Sequence, residues 1–357
     1  MRRVLPLVLL MGCAGAAPAA VEGVDAGADV AEAFTLPPLP TEPDAGADVA
    51  EAGGDAPDAG SDVGIEDVAP QGDTRLPIVL VHGFAGFRDI GPVGYFFNVA
   101  RALRADGRVV YEAVLPPFGS SPQRVPALRA MVDQALRETG ARRVALIAHS
   151  QGGLDARYLI STLGYGDRVG ALVTVSTPHR GTRVADLFDS AIPGVADGVI
   201  NAFATLLGVA YNEARSNADL RASLRAMRTS ELTRFNAENP DDPRVRYFSY
   251  AGRSNRRDGR AVCGDGEVRD DPSRVDNTTV FLAAFALVIE AGDPARNVND
   301  GMIPVESAKW GRFMGCVPAD HFDEVGQIAH TGPVPESGFD HIRFYRDMVA
   351  RLGREGF

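Results

Sequence analysis

The run Val144-Ala145-Leu146-Ile147-Ala148-His149-Ser150-Gln151-Gly152-Gly153 passes from a short apolar segment to a pair of glycines, with a serine at the junction. Residues 144–148 read as a strand buried on both faces, and residues 154–163, apolar at helical spacing, as the helix that follows. A strand that turns this abruptly into a helix needs small side chains around the turning residue, because the backbone must fold back on itself there. Ala148 stands where such turns usually carry a first glycine, which adds only a methyl group, and Gly152 keeps the second. The serine hydroxyl is then held out above the sheet, so Ser150 is the candidate nucleophile. An attacking hydroxyl needs two donors for the oxyanion that forms. The Gln151 amide supplies one. The glycine-rich loop His82-Gly83-Phe84-Ala85-Gly86, at the end of a strand over 78–81, can aim the Phe84 amide at the same point. His82 is expected to order that loop rather than act on substrate.

Working outward, apolar runs at 78–81, 109–114, 144–148, 169–175 and 245–250 alternate with amphipathic segments at 95–103, 125–136, 154–163 and 342–352. Such alternation predicts an α/β chain with a mostly parallel sheet covered by helices on both faces. A nucleophile on such a sheet draws its acid and its base from loops further along the chain. Asp300, in the turn Asn299-Asp300-Gly301 ahead of Met302-Ile303-Pro304-Val305, is suited to orienting an imidazole. For the base, spacing leaves three histidines open: His321, His330, and His341 at the head of the last helix.

The 357 residues carry a formal charge of −11, but 14 of the 47 acidic residues fall between Glu22 and Asp73, where there is no Lys or Arg, so the rest of the chain is close to neutral. No basic patch interleaved with aromatics appears, which argues against nucleic acid as a partner. Arg2 and Arg3 followed by apolar residues 4–11 read as an export signal. It ends in Leu10-Met11-Gly12-Cys13, which resembles a lipoprotein cleavage site: residues 1–12 would be removed and Cys13 would carry the lipid. The alternative is ordinary cleavage near Ala16 and release as a secreted protein. Residues 13–74, in which Asp25 to Ala33 and Asp44 to Ala52 both spell DAGADVAEA, are too poor in large apolar residues to offset the entropy of ordering. They are expected to form a disordered, self-repelling tether, leaving residues 75–357 as the catalytic domain. Calcium binding by the repeated acids is disfavoured, because the Gly-Gly-x-Gly-x-Asp core of Asp-rich repeats is missing. With Cys13 set aside, Cys263 and Cys316 remain, an even pair in an exported chain, and a disulfide between them is expected.

Several motifs, in order, carry a family resemblance: Pro77-Ile78-Val79-Leu80-Val81-His82-Gly83, His149-Ser150-Gln151-Gly152-Gly153, Thr177-Pro178-His179-Arg180-Gly181, Arg234-Phe235-Asn236-Ala237, Asn299-Asp300-Gly301 and His321-Phe322-Asp323-Glu324-Val325-Gly326-Gln327. Over most of residues 76–352 the chain resembles the secreted, calcium-binding bacterial triacylglycerol lipases of the pseudomonad type, which have the α/β-hydrolase fold. The resemblance implies a triad of Ser150, Asp300 and His321. It also implies a structural Ca²⁺ near the histidine loop, held by Asp276 and Asp323 with backbone oxygens near Gln327 and Thr331; oxygen donors suit that ion. A dedicated lipase foldase is the further partner it implies. The chain departs from the family at Ala148, in its tethering signal and in its cysteine positions, which leaves open the need for a foldase and for a long-chain substrate.

Residues 183–240 interrupt the alternation as a helical lid or cap insertion, in which Val199, Ile200, Phe203, Leu206 and Leu207 share one helical face suited to covering an acyl groove. The apolar stretch 281–289 is expected to be a buried helix, too short to span a membrane. The expected activity is cleavage of carboxylic esters, most of all acylglycerol lipids, through an acyl-serine intermediate with no organic cofactor. A short-chain carboxylesterase, a polyester depolymerase and an acyltransferase are alternatives sharing the same triad. An inactive lipid- or partner-binding module is the alternative from another class.

Overall fold

The computed structural model describes residues 75–86, 89–90, 93–188, 198–201, 217–254, 263, 265–267, 271, 273–274, 276–279, 282–290, 297–327 and 333–357. The chain divides into units Met1–Asp67 and Val68–Phe357, and every described residue belongs to the second. Its strands are β1 (Ile78–Val81), β2 (Asp89–Ile90), β3 (Val93–Gly94), β4 (Val110–Ala113), β5 (Val144–His149), β6 (Val169–Val175), β7 (Arg246–Gly252) and β8 (Arg312–Val317). Its helices are α1 (Val99–Ala105), α2 (Ser121–Thr139), α3 (Gln151–Ser161), α4 (Arg183–Phe188), α5 (Ala218–Ala226), α6 (Thr229–Glu238), α7 (Ala283–Glu290), α8 (Val305–Ala308) and α9 (His341–Arg354). Six strands pair in the order β4-β1-β5-β6-β7-β8, each parallel to its neighbours, and β2 and β3 form a separate antiparallel pair.

Strand alternation builds the two faces of the core. Ile78 and Leu80 point to one side, where Val99 and Leu103 of α1 and Tyr345 and Met348 of α9 cover them. Val79 and Val81 point to the other, against Val125 and Leu128 of α2 and Leu159 and Ile160 of α3. All four β1 side chains are fully buried, and burial of each such aliphatic group contributes about 1.5–3 kcal/mol. A third cluster joins Val184 and Phe188 of α4, Leu220 and Leu224 of α5, Leu232 of α6 and Phe285 of α7 to Ala251 and Cys316, near the carboxyl ends of β7 and β8. The insertion therefore lies over that end of the sheet. Val199 and Ile200 are buried within the same cluster, while Phe203, Leu206 and Leu207 of the expected lid face lie outside the described residues.

Two expectations need correction. The helix expected over 95–103 begins only at Val99, because Asn98 takes a left-handed conformation (φ 59°) and the Phe97 amide donates to Val325 O at 3.0 Å, leaving Tyr95 and Phe96 outside it. The edge strand β8 was not anticipated, since its sequence, Arg312-Phe313-Met314-Gly315-Cys316-Val317, is short and broken by a glycine at which the register with β7 shifts. Among the described residues no helix is long and apolar enough to cross a membrane.

From β1 the chain moves to β4 on one side, returns to β5 on the other, and then continues outward. This reversal opens a crevice beyond the carboxyl ends of β1 and β5, where parallel α/β sheets bind ligands. Gly83 and Ser150 follow those two strands.

Candidate active site

Ser150 sits at the N-cap of α3 with φ 56° and ψ −133°, a conformation that non-glycine residues rarely adopt. The neighbourhood enforces it. A Cβ on Gly152 would lie 2.6 and 2.7 Å from the Val81 and His82 carbonyl oxygens, and one on Gly83 would lie 2.5 Å from Ser150 Cβ. The Ser150 amide donates to Val175 O at 2.9 Å, and Thr177 Oγ1 donates to Ser150 O at 2.8 Å. Serine often caps a helix, yet the Ser150 side chain makes no capping bond to α3, so its hydroxyl is not committed to the helix. The Gln151 amide opens α3, at the positive end of the helix dipole. Phe84 is half-buried, with its ring 5.2 Å from that of Phe118.

Asp300 and His321 come together from loops on the same side of the sheet. Asn299 Oδ1 accepts from the Gly301 amide at 2.8 Å, and Gly301 takes φ 94°, which closes the tight turn. Asp300, fully buried, accepts the Met302 and Ile303 amides on Oδ1 at 2.8 and 2.6 Å, and its Oδ2 lies 2.7 Å from His321 Nδ1. The Nδ1 proton therefore faces the carboxylate, leaving Nε2 as the basic nitrogen. The His321 ring centroid lies 4.4 Å from that of His149, the residue before Ser150. His341 is committed elsewhere: its Nε2 donates to Phe97 O at 2.8 Å. His330 lies outside the described residues.

Next to His321 is a buried polar network that the sequence reading did not contain. His149 Nδ1 is 2.8 Å from the Tyr95 hydroxyl and its Nε2 is 2.9 Å from Glu324 Oε2. Ser176 Oγ donates to Glu324 Oε1 at 2.6 Å and accepts the Gly252 amide at 2.9 Å. Burial, then the Asp300 charge, holds the Glu324 carboxyl well above the usual carboxylate range. Burial, then the His321 charge, holds His149 well below the ordinary imidazole value. The pair is thus kept neutral overall. Glu324 stands three residues after His321 in a 3₁₀ turn (Asp323–Val325), and that spacing was its one signal in the sequence.

Asp276, Asp320 and Asp323 are buried and offer carboxylate oxygens within 4.8 Å of one another. Asp320 was not among the expected ligands, although it precedes His321. Its Oδ1 accepts the Phe322 and Asp323 amides at 2.9 Å each and its Oδ2 the Thr279 amide at 2.7 Å, while its own amide donates to Asp276 Oδ2 at 2.6 Å. Burial, followed by the charges of Asp323 and Asp320, pushes Asp276 up to about 9. A buried carboxylate cluster that must hold a proton to relieve its repulsion has the charge and the hard oxygen donors that fit Ca²⁺. Gln327 Nε2 donates to the Tyr95 carbonyl at 2.5 Å; Thr331 lies outside the described residues, as does Cys13. Cys263 and Cys316 are joined, their Cα atoms 5.9 Å apart.

Residues 77–254 match the family model for the alpha/beta hydrolase fold. The triacylglycerol lipase of Vibrio cholerae is 29% identical over 79% of this chain and 89% of its own length. That of Burkholderia plantarii is 27% identical over 79% and 87%. Among solved structures, Staphylococcus hyicus lipase superposes with a TM-score of 0.56 at 18% identity, over 79% of this chain and 96% of that one. Fold and sequence together define an α/β hydrolase, a serine hydrolase of the lipase type acting on carboxylic esters. Within that class the chain is similar to the bacterial triacylglycerol lipases of the pseudomonad type, at 26–29% identity.

Proposed function

We propose that the chain hydrolyses acylglycerol esters with Ser150 as nucleophile, His321 as general base and acid, and Asp300 as the group that orients His321. The observation that carries this assignment is the 2.7 Å contact of Asp300 Oδ2 with His321 Nδ1, beside a serine held at φ 56°. His321 takes the hydroxyl proton as Ser150 Oγ attacks the ester carbonyl carbon, and the amides of Phe84 and Gln151 stabilise the oxyanion. The bond to the alcohol oxygen breaks as His321 hands that proton to it. Water then adds to the acyl-Ser150, giving its proton to His321, which returns it to Ser150 Oγ as the acid leaves. Such acyl transfer needs no organic cofactor. The packing of Phe84, Phe118 and Phe322 against the apolar insertion cluster supports a substrate with an acyl chain.

Asp276, Asp320 and Asp323 would hold Ca²⁺, which supplies charge neutralisation and braces the loop that carries His321. The N-terminal residues complete the proposal: export directed by residues 1–12, a lipid at Cys13, and residues 13–74 as a tether that leaves residues 75–357 free to meet lipid at the cell surface.

Hydrolysis of p-nitrophenyl esters of increasing acyl length, by the wild type and by Ser150→Ala, tests the assignment. Loss in the variant and persistence to long chains support a lipase; activity only on short chains makes it an esterase, and activity surviving Ser150→Ala removes the nucleophile. A chelator should lower both activity and Tm, with recovery on adding Ca²⁺.

A further inference from the structure

Arg124, on α2, is fully buried, and its guanidinium is spent almost entirely on the ends of two loops. Nε donates to Asp155 Oδ2 of α3 at 2.8 Å. Nη1 donates to Pro116 O at 2.5 Å and Pro117 O at 3.2 Å, and Nη2 to His82 O at 2.9 Å and Gly83 O at 3.1 Å. The Gly83 carbonyl has a second donor. The Leu115 amide donates to His82 Nε2 at 2.9 Å, so that nitrogen must be unprotonated, and the ring proton sits on Nδ1, 3.0 Å from Gly83 O. Burial, then the charge of Arg124, lowers His82 to about 4, which keeps this single tautomer at neutral pH. The Gly86 amide, 3.3 Å from the same oxygen, closes the turn.

In a trans peptide the carbonyl of one residue and the amide of the next point in opposite directions from one plane. Donors gathered on Gly83 O therefore turn the Phe84 amide to the face away from Arg124. Gly83 approaches Ser150 so closely that a Cβ there would lie 2.5 Å from Ser150 Cβ. We propose that Arg124 and His82 are positioning residues that fix the Gly83–Phe84 peptide plane before substrate arrives, so that the oxyanion donor is set without reorganisation during the reaction. Asp155, with Oδ2 on the same guanidinium, anchors that device to the helix headed by Ser150 and Gln151, tying both oxyanion donors to one buried ion pair. This rests on the assignment of Ser150 as nucleophile and Phe84 as donor.

The test uses the full chain with matched oxygen esters and thionoesters, since a developing thiolate draws less from amide donors than an oxyanion does. Arg124→Lys keeps a cation for Asp155 but loses the fork. It is expected to lower kcat on the oxygen ester about a hundredfold, the scale for loss of one oxyanion donor, with KM little changed. The oxygen-to-thionoester rate ratio should fall with kcat, and the pH–rate profile should keep its shape because His321 is untouched. His82→Gln can still accept from Leu115 but loses the Gly83 donor, and should lower the ratio. His82→Asn can keep the Gly83 donor and lose the Leu115 bond, and should lower Tm more than the ratio. This pair carries the test if Arg124→Lys fails to fold. An unchanged ratio in Arg124→Lys, or in His82→Gln, overturns the proposal even where Tm drops. Activity surviving Ser150→Ala, or a wild type with no preference for the oxygen ester, overturns the underlying site assignment instead.

Discussion

His149 and Glu324, 175 residues apart in the chain, share a 2.9 Å hydrogen bond between Nε2 and Oε2 beside the His321 ring. The pair is buried and neutral overall, so it acts as a rigid polar wall rather than a charge. Replacing the acid by its neutral isostere should then be mild: Glu324→Gln is expected to keep kcat within about fivefold and stability within about 1 kcal/mol. Glu324→Ala strands the Ser176 hydroxyl and His149 and should cost about 2–4 kcal/mol. Denaturant unfolding of the two variants checks this.

Asp300→Asn should leave the turn in place, because an amide oxygen can still accept the Met302 and Ile303 amides. Without the carboxylate at His321 Nδ1, however, the imidazole loses its required tautomer, and kcat should fall by about 10⁴ with KM little changed. Steady-state kinetics on a p-nitrophenyl ester reads the loss.

Gly152→Ala forces a methyl against the Val81 and His82 carbonyls at 2.6 and 2.7 Å, which are backbone atoms that cannot swing aside. It should cost about 1–3 kcal/mol and most of the activity together. Gly353→Ala, near the end of α9 with open space around the new methyl, should instead raise stability by about 0.5–1 kcal/mol. Melting curves of both separate the steric effect from a general effect of adding alanine.

Acid should weaken the fold at His82. With His82 held at about 4 against its ordinary 6.5, the folded form binds fewer protons than the unfolded form between those values. The stability fully present above pH 6.5 is therefore lost as pH falls through about 4, by about 3 kcal/mol for this one residue. His179, pushed well down by burial and then by Arg157 and Arg180, adds in the same direction. Between pH 7 and pH 4 the change in Tm should be less favourable for the wild type than for His82→Gln, the difference reading the His82 contribution alone.

The Cys263–Cys316 bond closes a loop of sequence separation 53, so removing it should cost about 4 kcal/mol through the entropy returned to the unfolded chain. Cys316 lies in β8, the strand that leads to Asp320 and His321. Tm of Cys263→Ser combined with Cys316→Ser, compared with the wild type before and after reduction, should show the same drop.

Much of the site was legible because its signals are local. The turn at Ser150 needs small neighbours, and the apolar runs on either side keep the periods of a strand and a helix. The turn at Asp300 is closed by its own neighbours, Asn299 and Gly301. The choice of His321 over His341 was different: spacing left it open, the family resemblance favoured His321, and the structure shows His341 bonded to Phe97 O. β8 escaped notice because a glycine and a register shift interrupt its pattern.

The sequence by itself determined the strand–turn–helix that carries Ser150, most of the order of strands and helices around it and the turn that carries Asp300, since these follow from periodicity and turn chemistry over a few residues. Only the tertiary structure decided that Arg124 reaches His82 and Gly83, that Glu324 meets His149, and that Asp320 joins Asp276 and Asp323. Arg124 and Gly83 are 41 residues apart in the chain, and His149 and Glu324 are 175 apart. They meet because the sheet order brings the carboxyl ends of distant strands side by side, and a buried charge is stable only where that folding supplies its partners.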